Sequence, residues 1–114
     1  MSHGNRWSIV LSTWLLCSSP VAARNFENGN QLLQYCTNQD TTSFFCLGYT
    51  SAVADALDGN RVNGYDACIP LSVNVGQIKD IVVQYLRLNP AERHLAAAGL
   101  VADAISKAFP CRRQ

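Results

Sequence analysis

Four cysteines constrain this chain more than any other feature. Cys36, Cys46, Cys68 and Cys111 form an even set in a short chain that begins like an exported one. Such a set reads as a disulfide framework. A zinc site would need paired ligands at C-x-x-C or H-x-x-x-H spacing. Neither spacing occurs, and His94 is the one histidine beyond the leader, so no metal is expected. Four cysteines allow three pairings. Loop entropy favours Cys36–Cys46 with Cys68–Cys111 by about 7 kcal/mol, and Cys36–Cys111 with Cys46–Cys68 by about 8. That difference is too small to choose, and the pairing stays open.

The leader carries the export reading. Arg6, with His3, gives a weakly basic start. Trp7 to Cys17 is apolar but falls well short of the roughly 20 residues a membrane span needs. Ser18, Ser19 and Pro20 break the run, and Val21-Ala22-Ala23 offers small residues for signal peptidase. Residues 1–23 are therefore expected to be a signal peptide, cleaved after Ala23, and 24–114 one helical domain. Cys17 leaves with the leader; Leu16 before it is not the small residue that lipidation wants. Removing Arg6 from nine basic residues leaves eight against eight acidic ones. A neutral chain argues against nucleic acid as a partner, and no second apolar run points to a membrane.

Periodicity and punctuation predict four helices. The first spans about Gly29 to Cys36, with Asn28 and Gln31 in capping-box spacing. The second spans about Ser43 to Leu57. Its expected buried face is Phe45, Tyr49, Ala52, Val53 and Ala56, and Gly48, Ala52 and Ala56 form a small-residue stripe that admits another helix. Gly59 suits its left-handed stop. The third starts at Val75 behind Asn74 and Gln77, buries Ile78, Ile81, Val82, Tyr85 and Leu86, and ends before Asn89. The fourth opens with Asn89 as cap, Pro90 at the first position and Glu92 at the third. Its expected buried face is Leu95, Ala98, Ala102, Ile105 and Phe109, and Pro110 stops it. The third and fourth helices should be antiparallel neighbours. The fold class expected is all-α: a small four-helix bundle-like domain stapled by two disulfides. Between the second and third helices, Asp58 to Asp66 is polar and carries two turn signals, and only Val62 to Tyr65 has room for a small hairpin.

Catalytic chemistry finds little support. His94 reads as a surface helix residue, and paired cysteines leave no nucleophilic thiol. Asp55, Asp80 and Asp103 fall one per helix and read as solvent-facing charges. No P-loop, G-x-S-x-G or haem motif occurs. No enzyme activity and no cofactor are expected. Phe44, Phe45, Tyr49, Tyr85 and Phe109 sit at helical spacings and read as core. Tyr65 stands apart in the polar loop with Asn60, Arg61 and Asn63. Loop tyrosine and arginine are enriched at binding hot spots, while a tyrosine folded back on the core is an equal alternative.

Several pieces taken in order resemble a known family. They are Leu32 to Cys36, Phe45 to Tyr49 with Asp55-Ala56, Cys68-Ile69-Pro70, Val75-Gly76-Gln77, Tyr85 to Pro90, and Ala108 to Cys111. Together they resemble the Rap/Tai immunity proteins associated with type VI secretion amidase effectors. The resemblance implies a periplasmic, helical, often homodimeric protein that binds a cognate secreted cell-wall amidase and blocks its cleft. Asn60, Arg61, Asn63 and Tyr65 are then the expected partner-binding loop. A periplasmic stress chaperone, or a general protein-binding module of the same helical form, is the alternative.

Overall fold

The structure, a computed structural model, describes residues 26–112, together with Gly4 upstream. The signal segment and its cleavage site lie outside the described residues. Helix α1 spans Gly29–Thr37 and α2 Thr42–Leu57. Strands β1 (Arg61–Val62) and β2 (Tyr65–Asp66) follow, then α3 (Val75–Leu88), a 3-10 turn at Pro90–Glu92, and α4 (Ala97–Ala108). The two strands correct the all-α expectation: the chain is mostly helical, with a two-stranded antiparallel sheet. The disulfides join Cys36 to Cys46 and Cys68 to Cys111. Two of the three expected capping boxes form, at α1 and α3. Asn28 and Gln31 exchange bonds of 2.9 and 3.0 Å, and Asn74 and Gln77 bonds of 3.0 and 2.8 Å.

The expected face of α2 is rotated. Cys46, Thr50, Ala54 and Leu57 are buried, while Phe44, Phe45, Ala52 and Ala56 are exposed. This helix is apolar almost all round, so periodicity alone selects no face. The covalent bond from Cys46 to Cys36 turns that edge inward, and Thr50 joins it by donating to the Cys46 carbonyl at 2.9 Å. Phe45 instead stacks outside, edge-on to Tyr35 at 5.1 Å and tilted to Tyr49 at 5.6 Å. The Gly48–Ala52–Ala56 stripe therefore faces outward. Helix α3 buries Ile78, Val82 and Leu86 as expected, with Ile81 and Tyr85 half-buried.

The fourth helix begins later than its sequence signal. Asn89 makes no side-chain N-cap bond; it closes α3 instead, its side-chain amide donating back to Tyr85 O at 2.8 Å. Only a 3-10 turn follows Pro90, and the chain is extended at Ala96 before α4 starts. The cause is the N-terminal segment, which crosses this break. Gly29 N donates to Leu95 O and Asn30 N to Arg93 O, while Ala97 N donates to Glu27 O. Orphan N–H groups at the starts of α1 and α4 thus find acceptors on each other's leading segments. The register of α4 shifts accordingly. Ala97, Leu100, Val101 and Ala104 join Ala102 and Ile105 in the core; Leu95 and Ala98 are exposed and Phe109 half-buried.

Gly29 is fixed by this crossing. A Cβ there would lie 2.5 Å from Leu100 Cδ1 and 2.8 Å from the Arg93 carbonyl oxygen. Alanine's better helix propensity, about 1 kcal/mol, is outweighed because a backbone atom cannot step aside. Gly29→Ala is expected to destabilise by about 1–3 kcal/mol. Urea denaturation measures it, and an unchanged midpoint would refute the close approach.

Candidate partner-binding hairpin

The polar loop folds into a hairpin at its two turn signals. Gly59, with φ +71°, stops α2. Asn63 and Gly64, with φ of +50° and +83°, take the two left-handed positions of a type I′ turn. The strands then pair Arg61 with Asp66 and Val62 with Tyr65. The hairpin's root is firmly held. Gly59 N donates to Ala67 O, Ala67 N to Leu57 O and Cys68 N to Phe109 O. Ile69 N donates to Asp58 Oδ1 at 3.0 Å, and the Cys68–Cys111 disulfide closes the exit arm onto the end of α4. A mobile-looking polar sequence is thus presented from a rigid base.

Asn60, Arg61 and Asn63 are all exposed, as is Val62. Arg61 Nε lies 3.9 Å from Asp66 Oδ2, a loose surface pair. Tyr65 departs from the other three. It is half-buried and packs back against the core, so the folded-back alternative describes its ring. Tyr65 separates two surface grooves. One, between the hairpin, α2 and α4, is lined by Ala52, Ala56, Val62, Ala98, Gly99 and Ala102. The other is lined by Tyr85, Glu92, Leu95, Leu100 and Asp103.

The second groove holds a polar cluster that sequence reading missed. Tyr85 hydroxyl donates to Asp103 Oδ2 and, at 3.3 Å, shares Glu92 Oε2. Lys107 Nζ reaches Asp103 at 2.7 Å and sits 5.4 Å from the Tyr85 ring centre. Burial and then the neighbouring Asp103 push the Tyr85 hydroxyl well above its ordinary pKa. Burial works against the charge on Asp103, but bonds from Lys107 and Tyr85 outweigh it and hold the carboxyl below its usual range. Asp103 is thus no plain solvent-facing charge, whereas Asp55 and Asp80 are exposed. The Asp103–Lys107 spacing of i,i+4 was the available signal; that Tyr85 would reach across from α3 was not.

This cluster is expected to make stability fall in acid. A carboxyl whose folded pKa is depressed contributes stability above its unfolded value near 4, and loses it as pH falls through the folded value. Wild type should exceed Asp103→Asn most above about pH 5, with the gap closing as pH falls through the depressed folded value. Denaturant melts of both proteins across that window check it; a gap independent of pH would contradict the assignment.

Among the described residues no group of three or more His, Cys, Asp or Glu is placed to hold a metal. No helix among them is long and apolar enough to cross a membrane. His94 lies exposed between the 3-10 turn and α4.

The fold is a small, mostly helical body with two disulfides and a firmly rooted surface hairpin. The chain belongs to the Rap1a immunity protein family, whose pattern it matches over residues 28–111. Membership implies a secreted effector as its binding partner. No curated protein sequence matches the chain.

Proposed function

We propose that this protein is a periplasmic immunity protein that binds a type VI secreted peptidoglycan amidase and blocks its active-site cleft. The observation that carries the reading is the hairpin at 59–66: an exposed tip on a root fixed by backbone bonds and a disulfide. Such preorganisation lowers the ordering entropy lost on binding. A narrow ridge flanked by two grooves also suits a cleft, whose walls would rest in the grooves while the tip enters. Export with cleavage after Ala23 belongs to the same proposal, and a mature N-terminus other than Arg24 in periplasmic extract would refute it. So does a homodimer, which light scattering of the purified protein would reveal as twice the chain mass.

The test is titration of the oxidised mature protein against the nearest encoded candidate cell-wall amidase, following peptidoglycan cleavage. Stoichiometric inhibition with nanomolar binding is the expected result. Undiminished cleavage at excess protein would sink the proposal. The chaperone reading draws on exposed Phe26, Phe44 and Leu71. Suppression of acid-induced aggregation of a model client, without amidase inhibition, would favour it instead.

A further inference from the structure

The two disulfides sit in different surroundings and hold different things. Cys36 and Cys46 are core residues, 7% and 0% exposed, and join α1 to α2 inside the body. Cys68 is exposed and Cys111 half-buried. Thiol–disulfide exchange requires a thiolate to reach a sulfur, so a reductant meets the second pair first. What that pair holds is the hairpin. Cys68 follows β2 with only Ala67 between, and Cys111 lies just beyond α4. Beside the disulfide, a backbone bond from Cys68 N to Phe109 O at 2.9 Å ties the exit arm to the end of α4. None of the large core side chains Leu32, Leu57, Val82, Leu86, Val101 and Ile105 lies on the two segments this link joins, the exit arm and the chain beyond α4.

We propose that Cys68–Cys111 is a reducible latch on the hairpin, opened by dithiol reductants while Cys36–Cys46 stays closed. A reductant thiolate attacks Sγ of Cys68, the S–S bond breaks, and Cys111 leaves as a thiolate that takes up a proton. The reductant's second thiol then attacks the mixed disulfide and frees Cys68. Two electrons pass to the protein, and the dithiol becomes a disulfide. With the latch open the hairpin's exit arm is free to part from α4, and the tip loses its fixed presentation. The effect on partner binding rests on the hairpin's role proposed above; the selective opening rests on geometry alone.

The experiment treats the oxidised mature protein with graded dithiothreitol, alkylates the free thiols and maps them by mass spectrometry. Cys68 and Cys111 are expected to label at reductant levels about tenfold below those that open Cys36 and Cys46. In the singly reduced protein, the amides of Gly59, Ala67 and Cys68 should exchange about tenfold faster or more, while α3 amides and the helical CD signal hold. The Cys68→Ser/Cys111→Ser double variant should reproduce that exchange pattern. Joint opening of both pairs, earlier opening of Cys36–Cys46, or loss of helix with the first pair would overturn the latch. Where the oxidised protein inhibits the amidase, the singly reduced form should bind it about tenfold more weakly, and equal affinity would overturn the coupling. Where even the oxidised form fails to bind, the proposed function falls, and labelling and exchange alone decide the latch.

Discussion

With both disulfides reduced, the protein is expected to melt tens of degrees below its oxidised form. The core explains why. Of its fifteen buried apolar residues among those described, five are alanines (Ala54, Ala67, Ala97, Ala102 and Ala104) and two are disulfide cysteines. Alanines bury little area each, so hydrophobic burial supplies less here than in a core of leucine and isoleucine. The cross-links take a correspondingly larger share. Closing ten residues between Cys36 and Cys46 is worth about 3 kcal/mol, and closing forty-three between Cys68 and Cys111 about 4. Their sum, about 7 kcal/mol, is comparable with the roughly 5–15 kcal/mol of a whole domain. At about 4–8 °C per kcal/mol for a domain of this size, the shift is large. Far-UV CD melts with and without reductant measure it, and melting temperatures within a few degrees of each other would show that the helices hold by packing alone.

The second large effect concerns affinity. Arg61→Ala is expected to weaken amidase binding by about thirtyfold or more, the cost of removing a hot-spot arginine worth some 2 kcal/mol. The same change should leave stability nearly untouched. The Arg61 side chain is 56% exposed and its contact with Asp66 is long at 3.9 Å, and exposed pairs contribute little. Isothermal titration and a melting curve on one preparation separate the two outcomes. Unchanged affinity would remove the hairpin tip from the interface. Tyr65→Ala is the less clean probe, because that ring also packs on the core and its loss would loosen the hairpin's base.

Elements with local chemistry were legible in the sequence. The α1 and α3 boxes formed where Asn-x-x-Gln placed them, Gly59 stopped α2, and Asn63-Gly64 turned the hairpin. Each of these depends on side chains bonding within a few residues, or on a backbone angle that glycine and asparagine tolerate. The strong Asn89-Pro90-x-Glu92 start signal misled for the opposite reason. It was locally sound, but the chain at 27–30 took the carbonyls of Arg93 and Leu95, and α4 began at Ala97.

By itself, then, the sequence determined four helices, an even set of cysteines and an exposed turn carrying Asn60, Arg61 and Asn63. Tertiary structure decided the disulfide pairing, the face that α2 turns inward, the late start of α4, and the meeting of Tyr85 with Asp103. The division has one physical cause. Caps, turns and amphipathic spacing are settled within a turn or two of chain. Which side of an almost wholly apolar helix is buried, and which distant cysteine lies within bonding reach, depends on partners brought together only when the whole chain packs.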